Sequence, residues 1–205
     1  MRAILSSLLL FCVLTVNAQE NALLNKFIEG VSNSCVVIDY TYTARISGID
    51  NIGSGTLVSQ GDMWAMEGNG VQMYCDGQSA WIVDASAKEV IIEPVSAEQG
   101  TEYLTNPALL ALNATESFNL NAVNLSSDGK AQRFSLKPKK KSDIEYLNVE
   151  ILSESALIRN MSFALNDGTL VTIKVSSMKL TPKLSVEEFR PQSKFDSSWI
   201  ITDLR

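Results

Sequence analysis

Residues 71–95 read VQMYCDGQSAWIVDASAKEVIIEPV, and this stretch decides the fold. Val71–Cys75, Ser79–Val83 and Glu89–Val95 each give a short strand. Asp76-Gly77 between the first two is a strong two-residue hairpin signal, since a type I′ turn needs positive φ at both central positions. Asp84–Lys88 turns the chain again, and Pro94 confines the third strand to an edge or an end. Side chains alternate along these strands, yet the positions expected to face out are also large and apolar: Met73, Trp81, Ile82, Val83, Ile91 and Ile92. An antiparallel sheet normally wets one face. A sheet apolar on both must be covered twice, and one cover can be a ligand.

Upstream, Leu23, Leu24, Phe27, Ile28 and Val31 form one apolar stripe, so Glu20–Asn33 reads as an amphipathic helix packed on a sheet. Cys35–Ile46 is a long strand in which Ile38, Tyr40, Tyr42, Ala44 and Ile46 share one face. Gly48–Gly53 is expected to turn the chain before a strand over Gly55–Ser59. Gly61-Asp62 leads into Met63–Met66, and Gly68-Asn69-Gly70 into the central hairpins. Short, regular spacing of this kind describes a meander, not βαβ units.

The β pattern breaks once, over Ser96–Glu116. Asn106 before Pro107 is an N-cap followed by proline at the first helical position, and Ala108–Leu112 is apolar. With Tyr103 and Leu104 just upstream, this insert is either a crossover capping one end of the sheet or a lid over an opening. Strands resume at Phe118–Val123, Arg133–Lys137, Ile144–Leu152, Ala156–Leu165, Thr169–Leu180 and Trp199–Leu204, with hairpin dipeptides at Asp128-Gly129 and Asp167-Gly168. The expected fold is mainly β with some helix (α+β), about eleven strands in one domain over residues 19–205.

Residues 1–18 carry Arg2, an apolar run Ile4–Val16 and the small-residue end Val16-Asn17-Ala18, the pattern of a secretory signal peptide cleaved after Ala18. Bulky Phe11 directly before Cys12 argues against a lipoprotein signal. Without Arg2 the 17 basic residues become 16 against 23 acidic, a formal charge of −7. That balance argues against nucleic acid and against general binding to anionic lipid. Cys35 and Cys75 are expected either to be joined in a disulfide or to lie as two buried thiols. With no histidine in the chain, neither has a base to activate it, and catalytic thiol chemistry is disfavoured.

No metal-ligand spacing, phosphate loop or activated serine stands out, so no cofactor or metal is expected, nor an enzyme. Gly53-Ser54-Gly55 reads as a turn. Lys137-Pro138-Lys139-Lys140-Lys141 is a charge run that most simply blunts a hairpin edge, with docking on an acidic partner or lipid headgroups as the functional alternative. What is enriched is soft apolar bulk: Met63, Trp64, Met66, Met73 and Trp81. Such a group is usually core, but methionine also suits surfaces that accept variable apolar ligands.

The order of elements adds a resemblance. Gly55-Thr56-Leu57, Met63-Trp64, Asp76-Gly77, Trp81, Asp84, Val90, Pro107 with Leu109-Leu110, Phe134-Ser135-Leu136-Lys137-Pro138, Ile144, Val149-Glu150-Ile151, Met161, Asp167-Gly168 and Ile200–Arg205 succeed one another as in the LolA-like periplasmic lipoprotein carriers. The chain resembles that family over nearly all of residues 19–205. The resemblance implies an unclosed antiparallel β-barrel with a covering helix and a short helical lid. It also implies an apolar interior for the acyl chains of lipoproteins, an inner-membrane ABC transporter that loads them and an outer-membrane acceptor. Exposing three palmitoyl-length chains to water would cost roughly 30 kcal/mol at ~0.8 kcal/mol per methylene, so transfer needs shelter. One departure is plain: where the family carries an Arg-Pro pair tied to lid closure, this chain has Ser59-Gln60-Gly61-Asp62.

Met63, Trp64, Met66, Met73, Trp81, Ile91 and Phe163 are therefore expected to line the cavity, and Tyr103, Leu104, Pro107, Leu109 and Leu110 to form the lid. The expected protein is a monomeric periplasmic carrier of acylated lipoproteins or a related lipid. The alternative is a module that senses envelope lipids or lipoproteins on the same scaffold.

Overall fold

The computed structural model describes residues 22–68, 70–95, 117–191 and 195–205. The expected signal peptide and the lid residues Tyr103, Leu104, Pro107, Leu109 and Leu110 lie outside them.

Helix α1 (residues 22–32) turns the expected stripe inward: Leu24, Phe27 and Val31 are buried, while Asn25, Lys26 and Glu29 are exposed. Twelve strands follow in one sheet: β1 (Cys35–Ile46), β2 (Ile49–Gln60), β3 (Met63–Gly68), β4 (Val71–Cys75), β5 (Ser79–Asp84), β6 (Glu89–Pro94), β7 (Phe118–Leu125), β8 (Ala131–Pro138), β9 (Ile144–Leu152), β10 (Ile158–Leu165), β11 (Leu170–Thr181) and β12 (Ile200–Asp203). Their order is β12-β6-β5-β4-β3-β2-β1-β11-β10-β9-β8-β7. Neighbours are antiparallel except β12, which lies parallel to β6 and places Ile201 beside Val90. The two ends, β12 and β7, do not pair, so the sheet is an unclosed barrel. Pro94 ends β6, where its missing N–H breaks no ladder.

Two turns differ from expectation. Gly48–Gly53 is not a loop: Ile46 pairs directly with Ile49, and the turn is Ser47-Gly48 alone, with φ of 51° and 82°. That is the mirror-image turn expected of Asp76-Gly77. At the latter only Gly77 takes positive φ, and Asp76 instead accepts the backbone N–H groups of Gln78 and Ser79 at 3.0 and 2.9 Å. The carboxylate, not backbone inversion, closes that loop.

Because directly opposed residues in a ladder share a face, the register sorts side chains without ambiguity. Ile38, Leu57, Met66, Met73, Ile82 and Ile91 form one row across β1–β6 on the inner face. On the other wing, Tyr42, Ile173, Met161, Val149 and Phe134 form another. Helix α1 and both inner faces share one apolar core. The outer face of β4–β6 has its own: Val83, Val90 and Ile92 with Tyr74 and Trp81, covered by Phe195 and Trp199, whose rings stand 4.9 Å apart. This part of the sheet is thus apolar on both faces, and the C-terminal tail covers the outer one.

The cysteines are not joined. Both are buried free thiols. Cys35 leads β1 into the row in which Val36 pairs with Ser59, Ser59 with Trp64, and Trp64 with Cys75. Three strand spacings of ~4.8 Å separate the two strands, far beyond the ~7 Å between Cα atoms that a disulfide spans. The disulfide expectation is therefore corrected.

Candidate functional site

The inner face is not filled everywhere. β2 sets Gly55 opposite Tyr40 and Gly53 opposite Tyr42, and β3 sets Gly68 opposite Gly55. Three inward positions that would otherwise project side chains project none, and glycine within a strand marks just such a close approach or vacancy. A cavity of about 500 Å³ lies beside them. Tyr40, Tyr42, Ala44 and Ile46 of β1, Met66 of β3, Phe163 and Leu165 of β10, and Val171 and Ile173 of β11 line it. Asp167 and Thr169, in the turn between β10 and β11, are its polar residues.

The lining follows from strand periodicity. Ala44 pairs with Val171, which pairs with Phe163, so alternate residues of three adjacent strands make one wall. Met66 of β3 adds to the lining, its thioether able to re-pack at little cost. Burial pushes the Tyr40 phenol above its ordinary pKa, and neighbouring Tyr42 adds to the effect. The Tyr40 phenol is thus neutral at physiological pH, which suits an apolar occupant. At the mouth, the backbone N–H and hydroxyl of Thr169 hold the Asp167 carboxyl below the usual carboxylate range. This charge is turned onto its own loop, leaving the interior apolar.

Of the residues expected to line the cavity, Met66 and Phe163 do so. Met73 and Ile91 share the inner row of Met66 but lie further along the sheet. Exposure along that row rises from 0% at Leu57 to 39% at Ile91, so the inner face opens toward β6. Trp64 is buried core at 6% exposure. Met63 points the other way from Trp64 and sits beside the Gly77 turn. Trp81 pairs with Tyr74 and Ile92 on the outer face, under the tail. Alternation alone cannot tell inward from outward where both faces are apolar, and that ambiguity misplaced Met63 and Trp81. The missed lining residues Tyr40, Tyr42, Ala44 and Ile46 had a signal, because they share one face of the first strand. Gly53-Ser54-Gly55, with its glycines two apart, is strand rather than turn, and its blank face was the other signal.

Where the Arg-Pro pair was expected, Ser59 is buried and Gln60 holds the chain after β11. Its side-chain amide donates to the Leu184 carbonyl at 3.1 Å and accepts the Leu184 N–H at 2.7 Å. Among the described residues no cluster of His, Cys, Asp and Glu could hold a metal ion.

Chemically, the site offers a slot and no reactive group. At ~30 Å³ for a group the size of a water molecule, about 500 Å³ takes roughly sixteen such groups, the bulk of one fatty tail. Ligand pockets commonly run ~300–1,000 Å³.

The family model for the outer membrane lipoprotein carrier protein LolA matches residues 64–192. No curated protein matches the chain. Among solved structures, an uncharacterized conserved protein from Thermus thermophilus superposes with a TM-score of 0.54 at 12% identity, over 91% of this chain and 99% of that one. A putative outer membrane lipoprotein-sorting protein domain from Vibrio parahaemolyticus gives 0.44 at 10% identity, over 81% and 94%. A LolA superfamily protein from Nitrosomonas europaea gives 0.42 at 10%, over 82% and 97%. At 12% identity the first of these shows a likeness of fold alone. The family model, by contrast, spans well over half the sequence, and the chain belongs to the LolA family of outer membrane lipoprotein carrier proteins.

Proposed function

We propose that this chain is a periplasmic carrier, not an enzyme, that shelters the acyl chain of a lipoprotein or a related lipid and moves it from the inner toward the outer membrane. One observation carries the reading: an apolar cavity of about 500 Å³, walled by β1, β10, β11 and Met66, in a member of a lipoprotein carrier family. One acyl chain of about sixteen carbons withdrawn from water is worth on the order of 12 kcal/mol at ~0.8 kcal/mol per methylene. That is enough to hold a lipidated protein in solution.

The cavity releases or accepts such a chain without chemistry. The energy for extraction comes from an inner-membrane ABC transporter, and delivery ends at an outer-membrane acceptor. Tyr103, Leu104, Pro107, Leu109 and Leu110 serve as the lid of this cavity. Residues 1–18 direct export and are removed after Ala18, and the carrier works as a monomer.

Native mass spectrometry of protein purified without detergent tests the reading. A mass increment equal to one acylated species supports it. A bare mass that stays bare after incubation with a palmitoylated lipopeptide sinks it. Recovery of an envelope protein with no acyl group would favour the sensing module instead.

A further inference from the structure

We infer that the end of the sheet around the cavity mouth is a docking surface for an anionic lipid bilayer, entered by the β1–β2 hairpin tip. This goes beyond carriage of an acyl chain, because it assigns the membrane contact to this chain itself.

The first observation is an apolar tip. Ile46, Ile49 and Ile52 are 48%, 68% and 76% exposed, the last two the most exposed large aliphatics of β1 and β2. Ile46 and Ile49 are opposed and share the inner face, whereas Ile52 pairs with Thr43 on the outer face. The tip is unpaired along its β2 side, since β2 pairs with β3 only from Gly55 onward, while β1 stays paired with β11 up to Arg45, so that only Ile46–Ile49 project beyond the sheet. A flat protein partner would bury one face of such a ribbon. A medium that surrounds it buries both, and Arg45 and Asp50 already cancel each other there at 2.7 Å. Ile46 also lines the cavity, so the tip is continuous with the mouth.

The second observation is independent. Lys137, Lys139, Lys140 and Lys141, all exposed, leave β8 at the same end of the sheet. Asn166, in the turn after β10, fixes that loop to the mouth. Its side-chain amide donates to the Ser142 carbonyl at 2.6 Å, and its backbone N–H to the Asp143 carbonyl at 2.9 Å. From β1 to β8 is four strand spacings, ~19 Å along the sheet. The chain is acidic overall at −6, so this run of lysines is a local reversal of sign. An apolar finger with lysines alongside fits acyl chains below and anionic headgroups around. The acidic balance argues against general adsorption to anionic lipid; this docking is confined to one end.

Flotation of the full mature chain with vesicles of phosphatidylethanolamine, with and without phosphatidylglycerol, tests this. Wild type should float with the anionic vesicles and lose most binding in high salt. Ile49→Ser with Ile52→Ser should weaken it at least tenfold, and Lys140→Glu with Lys141→Glu should remove the salt-sensitive part. These four side chains are exposed, so both variants should keep wild-type thermal stability and wild-type uptake of a palmitoylated lipopeptide in vesicle-free solution. An added tryptophan, Ile49→Trp, should be quenched by bromine-labelled acyl chains beyond the wild-type background. Failure of wild type to float, or flotation unchanged in both double variants, overturns the inference. Selective capture of one membrane protein without any vesicle binding would also overturn it, in favour of a protein dock. Loss of lipopeptide uptake with flotation intact would strike the carrier reading alone and support the docking surface as a separate property.

Discussion

Tyr40 lies over Gly55: a Cβ added at residue 55 would stand 3.0 Å from the Tyr40 hydroxyl oxygen and 2.6 Å from the Glu67 carbonyl oxygen. The ring fits because its opposite number on β2 has no side chain. Gly55→Ala is therefore expected to destabilise the protein by about 1–3 kcal/mol through overpacking. At about 2–4 °C per kcal/mol for a chain of this size, that lowers the Tm by several degrees. The 2.6 Å contact is with backbone, so β2 and β3 must part locally while Tyr40 gives way at its own contact, and acyl uptake should fall as the ring moves. A Tm equal to wild type in differential scanning calorimetry would show that the approach is looser than this.

Ala44 faces the cavity from β1 with little of its own bulk. Affinity for fatty ligands should rise by ~0.8 kcal/mol per methylene and level off near roughly sixteen carbons, where the slot is full. Ala44→Phe should lower that plateau by several carbons without loss of Tm, because the added ring occupies existing space. Titration of fluorescent fatty acids of graded length reads both effects. A plateau that stays put would place the ligand elsewhere.

Trp81 works on the other face. With Phe195 and Trp199 it holds the tail down, so Trp81→Ala should free residues 195–205 to limited proteolysis at a cost of about 2 kcal/mol. Uptake of a lipopeptide should persist. Abolished uptake with the tail still protected would restore Trp81 to the ligand site.

These contrasts show what the sequence made legible. Strands β1, β4 and β9 have the boundaries that alternation and turn residues indicate, because both signals are local. The parallel seat of β12 on β6 was not legible, since nothing near Ile200–Asp203 names Glu89–Ile92 as its partner. Inward and outward assignments failed for Met63 and Trp81 for a related reason. A strand apolar on both faces carries no phase, and only the register through Met66, Met73, Ile82 and Ile91 supplies it. Phe163 sits on a strand whose other face carries Asn160, Ser162 and Ala164, so its phase was legible, whereas Met66 shares β3 with Met63 and its side is settled only by its pairing with Leu57 and Met73.

Cys35 and Cys75 are both buried, and burial pushes the Cys35 thiol pKa up, only partly opposed by its hydrogen bond with Thr181. Neither should react with iodoacetamide in the native state, and both should react on unfolding without reductant. Reductant should leave the Tm unchanged. A mass of the denatured chain lacking two carbamidomethyl groups until reduction would reveal a bridge after all.

Glu150 is buried at 6% exposure and held from two sides. Arg159 donates to its Oε1, and the Asn160 amide donates to its Oε2 at 2.8 Å. Arg159 also pairs with Asp128 at 2.6 Å, so one guanidinium ties β10 to both β9 and the β7–β8 turn. Burial alone would raise the Glu150 pKa, but the bonds from Asn160 and Arg159 outweigh it and hold the carboxyl below its ordinary value. A depressed folded-state pKa stabilises the native state above the unfolded value, ~4.3 for glutamate, and that contribution is lost as pH falls through the folded value. Glu150→Gln should therefore be less stable than wild type by about 1–2 kcal/mol near pH 7, and the two should converge below about pH 4. Arg159→Ala, which leaves the buried carboxylate without its cation, should lower the Tm further than Glu150→Gln does. Thermal melts from pH 7 to pH 3 check both. A Glu150→Gln deficit that persists undiminished at pH 3 would mean that the loss is one of shape and hydrogen bonding rather than of charge.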